Sequence, residues 1–214
     1  MSSPNNGLGW RGFQEPSTAG ADFNAQSFLV WSILSRIATT TLVEVKAVTN
    51  DGGVSPIGFV DVQPQVNQVD GAGNAVPHGI IYRCPYLRVQ GGANAVILDP
   101  QVGDVGIMVF ASSDISSVTA NKGRANPGSR RRFDMADGLY LGMAMGGAPT
   151  QYVRFSSGGI EIHSPSTVTI VAPNVQITGD VAITGALHNN GTNVGSTHKH
   201  GGVSPGGSDT GGPH

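Results

Sequence analysis

The spacing of apolar positions changes twice along the chain. Residues 1–16 show no periodicity and are predicted to be a flexible arm. From Asp22, a plausible N-cap, Phe23, Val30, Leu34 and Ile37 recur at helical spacing, which predicts one apolar stripe on a helix reaching about Ala38. After Thr39–Thr41 the pattern becomes strand-like. TLVEVKAV (41–48) ends at the turn signal Asn50–Gly53, and PIGFVDVQP, GIIYRCPYLRV, AVILD and VGIMVFAS follow. Gly103-Asp104, between the last two, reads as a hairpin turn. These signals predict a small five-stranded antiparallel barrel or sandwich with the helix packed at its side.

Beyond Tyr152 the pattern becomes a staircase. GGIEIHSP, STVTIVAP, NVQITG, DVAITG and ALHNNG succeed one another at a short period, each an alternating strand with Gly, Pro or Asn at the corner. Such a period is the mark of a β-helical or β-prism array. Alternation puts Ile160, Ile162, Val168, Ile170, Val175, Ile177, Val181 and Ile183 on one face, and Glu161, Thr169, Gln176 and Ala182 on the other. One chain of such strands has nothing to cover its apolar face. Three copies around an axis give a triangular prism with a Val/Ile interior, so the pattern predicts a homotrimer. Closing the prism also removes aggregation-prone sheet edges.

Composition sharpens this division. Every aromatic residue lies at or before Phe155, and from Ser156 to His214 only Glu161, Asp180, Lys199 and Asp209 carry formal charge. In the same stretch, 15 of the 35 positions from Ile160 to Val194 are Val, Ile or Thr, which favour extended backbone. A segment without aromatics cannot easily build a core of its own. The loosened run MAMGGAP places a boundary near Met143–Pro149. Four regions result: an arm and helix (1–38), a barrel (39–148), a shaft (149–195) and an apex (196–214).

Charge and cysteine content exclude several classes of function. The net charge of −2 and a pI near 6.3 argue against a nucleic-acid binder working through a basic surface. The single cysteine, Cys84, rules out a disulfide framework within the chain and a Cys-based zinc site. The opening residues show no secretory pattern, and the longest apolar run, Phe28–Leu34, is far below the ~20 residues that span a bilayer.

The most informative chemistry lies in Ser196-Thr197-His198-Lys199-His200-Gly201-Gly202. In an extended strand, His198 and His200 face one side and Lys199 the other. On the axis of a trimer, three chains would deliver six imidazole nitrogens to one point. That octahedral all-nitrogen set suits Fe(II), Ni(II) or Co(II) better than tetrahedral zinc. A metal held across subunits would also staple them, since its binding energy enters only on assembly. The bland alternative is a solvated pair in a glycine-rich tail. A cupin-type enzyme would need a nearby Glu, but no carboxylate follows until Asp209.

The remaining candidates carry less. Arg130–Arg132 with Arg124 reads first as a solvated loop or a partner contact, and second as a phosphate site. Cys84 reads as a buried thiol, and His78, His163 and His188 as surface residues. No carboxylate pair suits glycoside hydrolysis, and no P-loop, dinucleotide fingerprint or nucleophile elbow occurs.

The tail ITGDVAITGALHNNGTNVGSTHKHGGVSPGGSDTGGPH resembles the distal end of the central spike proteins of contractile-tailed bacteriophages, also called baseplate assembly protein V or puncturing-tip proteins. The stretch VPHGIIYRCPYLRVQGGANAVILDPQVGDVGIMVFASSDIS, followed by RRRFDMADGLYLG, is similar to the amino-terminal barrel of one spike subfamily. The resemblance implies an all-β homotrimer. Each chain would contribute an oligonucleotide/oligosaccharide-binding-like (OB-like) barrel with one flanking helix, attached to the baseplate hub protein, then an intertwined β-helix or β-prism shaft and a pointed apex. It implies one iron ion per trimer, held in the apex by His198 and His200 of each chain. It also implies a virion protein of the tail baseplate that transiently penetrates the host outer membrane. Some relatives insert a lysozyme domain, for which this chain has no room, so no catalytic activity is expected. Two other readings are a short trimeric tail fibre or adhesin binding a host glycan, and a β-helical polysaccharide-cleaving enzyme. The first usually presents aromatic residues for sugar stacking, and the second needs paired carboxylates.

Overall fold

A computed structural model of the chain describes residues 22–195. The chain divides into two units, with the boundary between Pro149 and Thr150. Among the described residues the structure is mostly β, with two short α-helices.

The first unit opens with helix α1 (Asp22–Leu34), which stops short of the expected Ala38. Its last turn tightens, with Arg36 N–H donating to Ile33 (3.1 Å) and Ile37 N–H to Leu34 (3.1 Å). The helix was expected to pack by one stripe, yet none of its residues is buried. The run Phe28–Leu34 spreads large apolar side chains around the whole circumference instead of along one face.

Five strands form the main sheet: β1 (Thr40–Val48), β2 (Phe59–Pro64), β5 (Ile81–Pro85), β8 (Val105–Phe110) and β9 (Gly138–Met145), in the order β5-β2-β1-β8-β9. All neighbours in it are antiparallel. The two outer strands touch through a parallel bridge between Tyr86 and Tyr140, where Leu87 N–H donates to the Tyr140 carbonyl at 2.8 Å. Alternate positions face inward, so Val43 and Val45 of β1 meet Val60 and Val62 of β2. Cys84, Tyr86, Met108 and Tyr140 complete this core, each at most 2% exposed.

Two expectations about the strands need correction. AVILD is not a member of this sheet. Its first residues lie in β7 (Asn94–Val96), which pairs with β6 (Val89–Gly91) as a separate hairpin turning at Gly92, φ +57°. Gly103-Asp104 therefore closes no hairpin with AVILD. It turns the chain into β8, with Gly103 N–H donating to Val45 (2.9 Å) and Val45 N–H to Asp104 (2.9 Å). The fifth strand is β9, hidden in the sequence because Gly138 and Gly142 interrupt its alternation. A second small hairpin, β3 (Gln68–Val69) with β4 (Ala75–Val76), and the short helix α2 (Ser116–Asn121) fill the connections.

In the second unit, β10 (Tyr152–Ser156) pairs with β11 (Gly159–His163), and β12 (His188–Asn189) pairs with β13 (Thr192–Asn193) across Asn190-Gly191. Both turn residues there have positive φ, +49° and +79°, as a type I′ hairpin requires. Between residues 164 and 187 the expected strands make no ladder within the chain. A ladder needs a neighbouring strand, and successive six- to eight-residue steps along one chain do not return to supply one.

Candidate functional site

His198 and His200, the expected metal ligands, lie outside the described residues. Among the described residues no group of three or more His, Cys, Asp or Glu side chains is placed to hold a metal ion, and no helix is long and apolar enough to cross a membrane.

The second unit presents a two-faced surface built from the β10–β11 hairpin. Its register opposes Tyr152 to His163 and Arg154 to Glu161, so these four side chains share one face. They are knitted together. The Tyr152 hydroxyl donates to Glu161 at 3.1 Å, Arg154 pairs with Glu161, and the rings of Tyr152 and His163 stack with centroids 5.0 Å apart. The hydrogen bond to Glu161, helped by burial, pushes the Tyr152 hydroxyl pKa upward.

The opposite face carries Val153 against Ile162 and Phe155 against Ile160. All four are more than half exposed. Beyond the hairpin, Val168, Ile170, Val175, Ile177, Val181 and Ile183 are exposed as well, between 53% and 72%. Monomeric proteins rarely leave so extended an apolar stretch open. These exposed apolar side chains are the strongest candidate for a functional surface among the described residues.

Compared with protein-family models and with curated proteins, the sequence gives no match. The remaining candidate residues are therefore read from their surroundings alone.

Arg131 is not a free cation awaiting phosphate. Its guanidinium bonds both carboxylate oxygens of Asp137 (3.0 and 3.2 Å) and lies 3.1 Å from Asp114. Both aspartates are buried, at 2% and 4% exposure. Hydrogen bonds from Ser116 and Ser129, with Arg131 alongside, hold the Asp114 carboxyl down at about 2. Arg132 donates to Ser113 Oγ at 3.1 Å. The arginine run thus fastens the loop before β9 to the segment around α2. No local motif announces that clasp, because its members are far apart in sequence.

A second buried cluster also escaped sequence reading. Arg88 and Tyr86 both donate to Asp99 Oδ1 at 2.6 Å, and Arg88 also donates to the Ser55 carbonyl at 2.6 Å. Gly52 N–H adds a bond to Asp99 Oδ2. Burial opposes ionisation of Asp99, but the bonds from Tyr86 and Arg88 outweigh it and lower its pKa. The cluster joins two loops to the end of β5.

Cys84 is 2% exposed, and burial together with the nearby Asp61 charge pushes its thiol up to about 12. It stays protonated at neutral pH and offers no nucleophile. His78 lends its carbonyl to Gln63 Nε2 at 2.8 Å, and His188 is exposed in β12.

Proposed function

We propose that this chain is the central spike of a contractile phage-tail baseplate, a homotrimer that punctures the host outer membrane. The observation carrying this reading is the series of apolar side chains from Ile160 to Ile183 left open to solvent in a single chain, beginning on a hairpin whose other face is polar. Two further copies would cover them and supply the strand neighbours that residues 164–187 lack. The shaft is then an intertwined β-helix or β-prism whose ladders run between chains.

The first unit is an OB-like barrel. A five-stranded sheet whose outer strands meet at the Tyr86–Tyr140 bridge fits a partly open five-stranded barrel of that kind. In the spike this barrel attaches to the baseplate hub protein. His198 and His200 of three chains would hold one iron ion in the apex, and six imidazoles are a fitting donor set for it. Bound there, the metal ties three chain ends together. The protein acts mechanically and not as an enzyme or a nucleic-acid binder. Chains that cannot open singly unfold slowly, which is what a tip driven by sheath contraction requires.

Elemental analysis of the purified full chain tests the reading. About one iron per three chains is expected, lost in the His198→Ala/His200→Ala variant. Iron-free protein of unchanged composition in both would contradict the apex.

A further inference from the structure

The first unit carries a groove that neither the core nor the shaft accounts for. Two clefts of about 300 and 400 Å³ share Phe59, Pro85 and Thr119, and so run together between the β2–β5 pair and helix α2. Phe59 and Pro85 line both clefts, Ile57 and Val118 make the second mostly apolar, and Ser116, Arg131 and Asp137 add polar groups to the first. Arg83 lines one cleft and Lys122 the other.

Both cations are held in an unusual way. Arg83 has φ +57° inside strand β5, and Lys122 has φ +49° at the end of α2, a position glycine normally fills. Side chains rarely tolerate this backbone region, and where they do the constraint clusters at functional places. Arg83 lays its guanidinium 4.7 Å from the centre of the Phe59 ring. Asp61 accepts the backbone N–H of Arg83, at 2.8 Å. Neither cation has an acidic partner among the described residues, and the one carboxylate lining the groove, Asp137, is already bound by Arg131.

We infer that this groove docks an acidic, partly apolar extended segment of a partner protein. Shared apolar lining between two unpaired positive charges complements that chemistry. Nucleic acid fits less well, because it would need a continuous basic track and stacked aromatic rings. Naming the partner as the baseplate hub rests on the function proposed above; the groove itself does not.

The test uses the full chain and a short fluorescein-labelled peptide in which Asp and Glu alternate with Leu and Phe, read by fluorescence anisotropy. The companion peptide replaces each acid by Lys. The acidic peptide binds and the lysine peptide does not, and Arg83→Glu/Lys122→Glu weakens the acidic peptide at least about tenfold. Lys122→Glu alone, on an exposed helix end, weakens it in the same direction if the double variant fails to fold. Absence of acidic-peptide binding, equal binding of the two peptides, unchanged affinity in Lys122→Glu, or preference for single-stranded oligothymidine overturns the inference. A metal-free monomer that still selects the acidic peptide would sink the spike reading and leave the groove standing. An iron-loaded trimer that ignores the peptide would do the reverse.

Discussion

Gly106 lies in β8, where the strand passes beneath the Tyr140 ring. A Cβ there would drive into the Gly142 carbonyl and the hydroxyl of the buried Tyr140, so backbone or a packed ring must shift. Gly106→Ala should therefore lower stability by about 1–3 kcal/mol, as overpacking generally does. Urea unfolding followed by tyrosine near-ultraviolet circular dichroism measures this, and an unchanged midpoint would contradict it. Asp114 makes a second prediction. Its folded pKa of about 2 lies below its ordinary 3.8, so the proton binds more weakly in the folded state. The stabilisation is complete above the unfolded value and is lost as pH falls from about 4 through 2. Asp114→Asn should flatten this part of the acid-melting curve, whereas a curve superimposable on wild type would refute the assignment. Little of this was legible in the sequence. Asp114, Arg131 and Asp137 look like ordinary surface charges until the fold gathers them, and Gly106 looks like any turn-former.

At the scale of elements, alternation made β1, β2 and β8 readable, because Val43, Val45, Val60, Val62 and Met108 recur at every second position facing the core. Pairing was not readable. AVILD has as strong a strand pattern as VGIMVFAS, yet its partner is the adjacent VQG, since a two-residue glycine turn closes that hairpin locally. Strand β9 escaped because its inward positions after Tyr140 give way to exposed ones. Helix α1 was legible as a helix, but the single apolar stripe expected to pack it was not found, since none of its residues is buried. In the second unit the alternation of Ile160 and Ile162 with Glu161 was legible in β11, and extending it along the proposed shaft yields a paired test. Ile177→Asp places a charge on the apolar face of that shaft and should shift the protein from trimer to monomer, because a buried unpaired charge is costly. Gln176→Asp, on the other face, should leave the trimer intact. Light scattering distinguishes the two, and equal behaviour of both variants would remove the reason for assigning a buried face.

For the whole molecule, the decisive property is that the chain has no aromatics beyond Phe155 and leaves Val and Ile side chains from Ile160 to Ile183 more than half exposed. The first unit has eight nearly inaccessible apolar core residues, while the second unit has none among the described residues. On the proposed reading, association with two further copies buries these side chains, a large favourable term for the second unit. The proposal of association draws on periodicity and on the missing rings, which are features of composition summed over a long segment and not of any particular contact. The measurement that bears on it most directly is the solution mass of the full chain by size-exclusion chromatography with light scattering. Three times the 21.9 kDa of one chain, persisting on dilution, is the predicted result. A mass of 21.9 kDa with the second unit cooperatively folded would contradict the account.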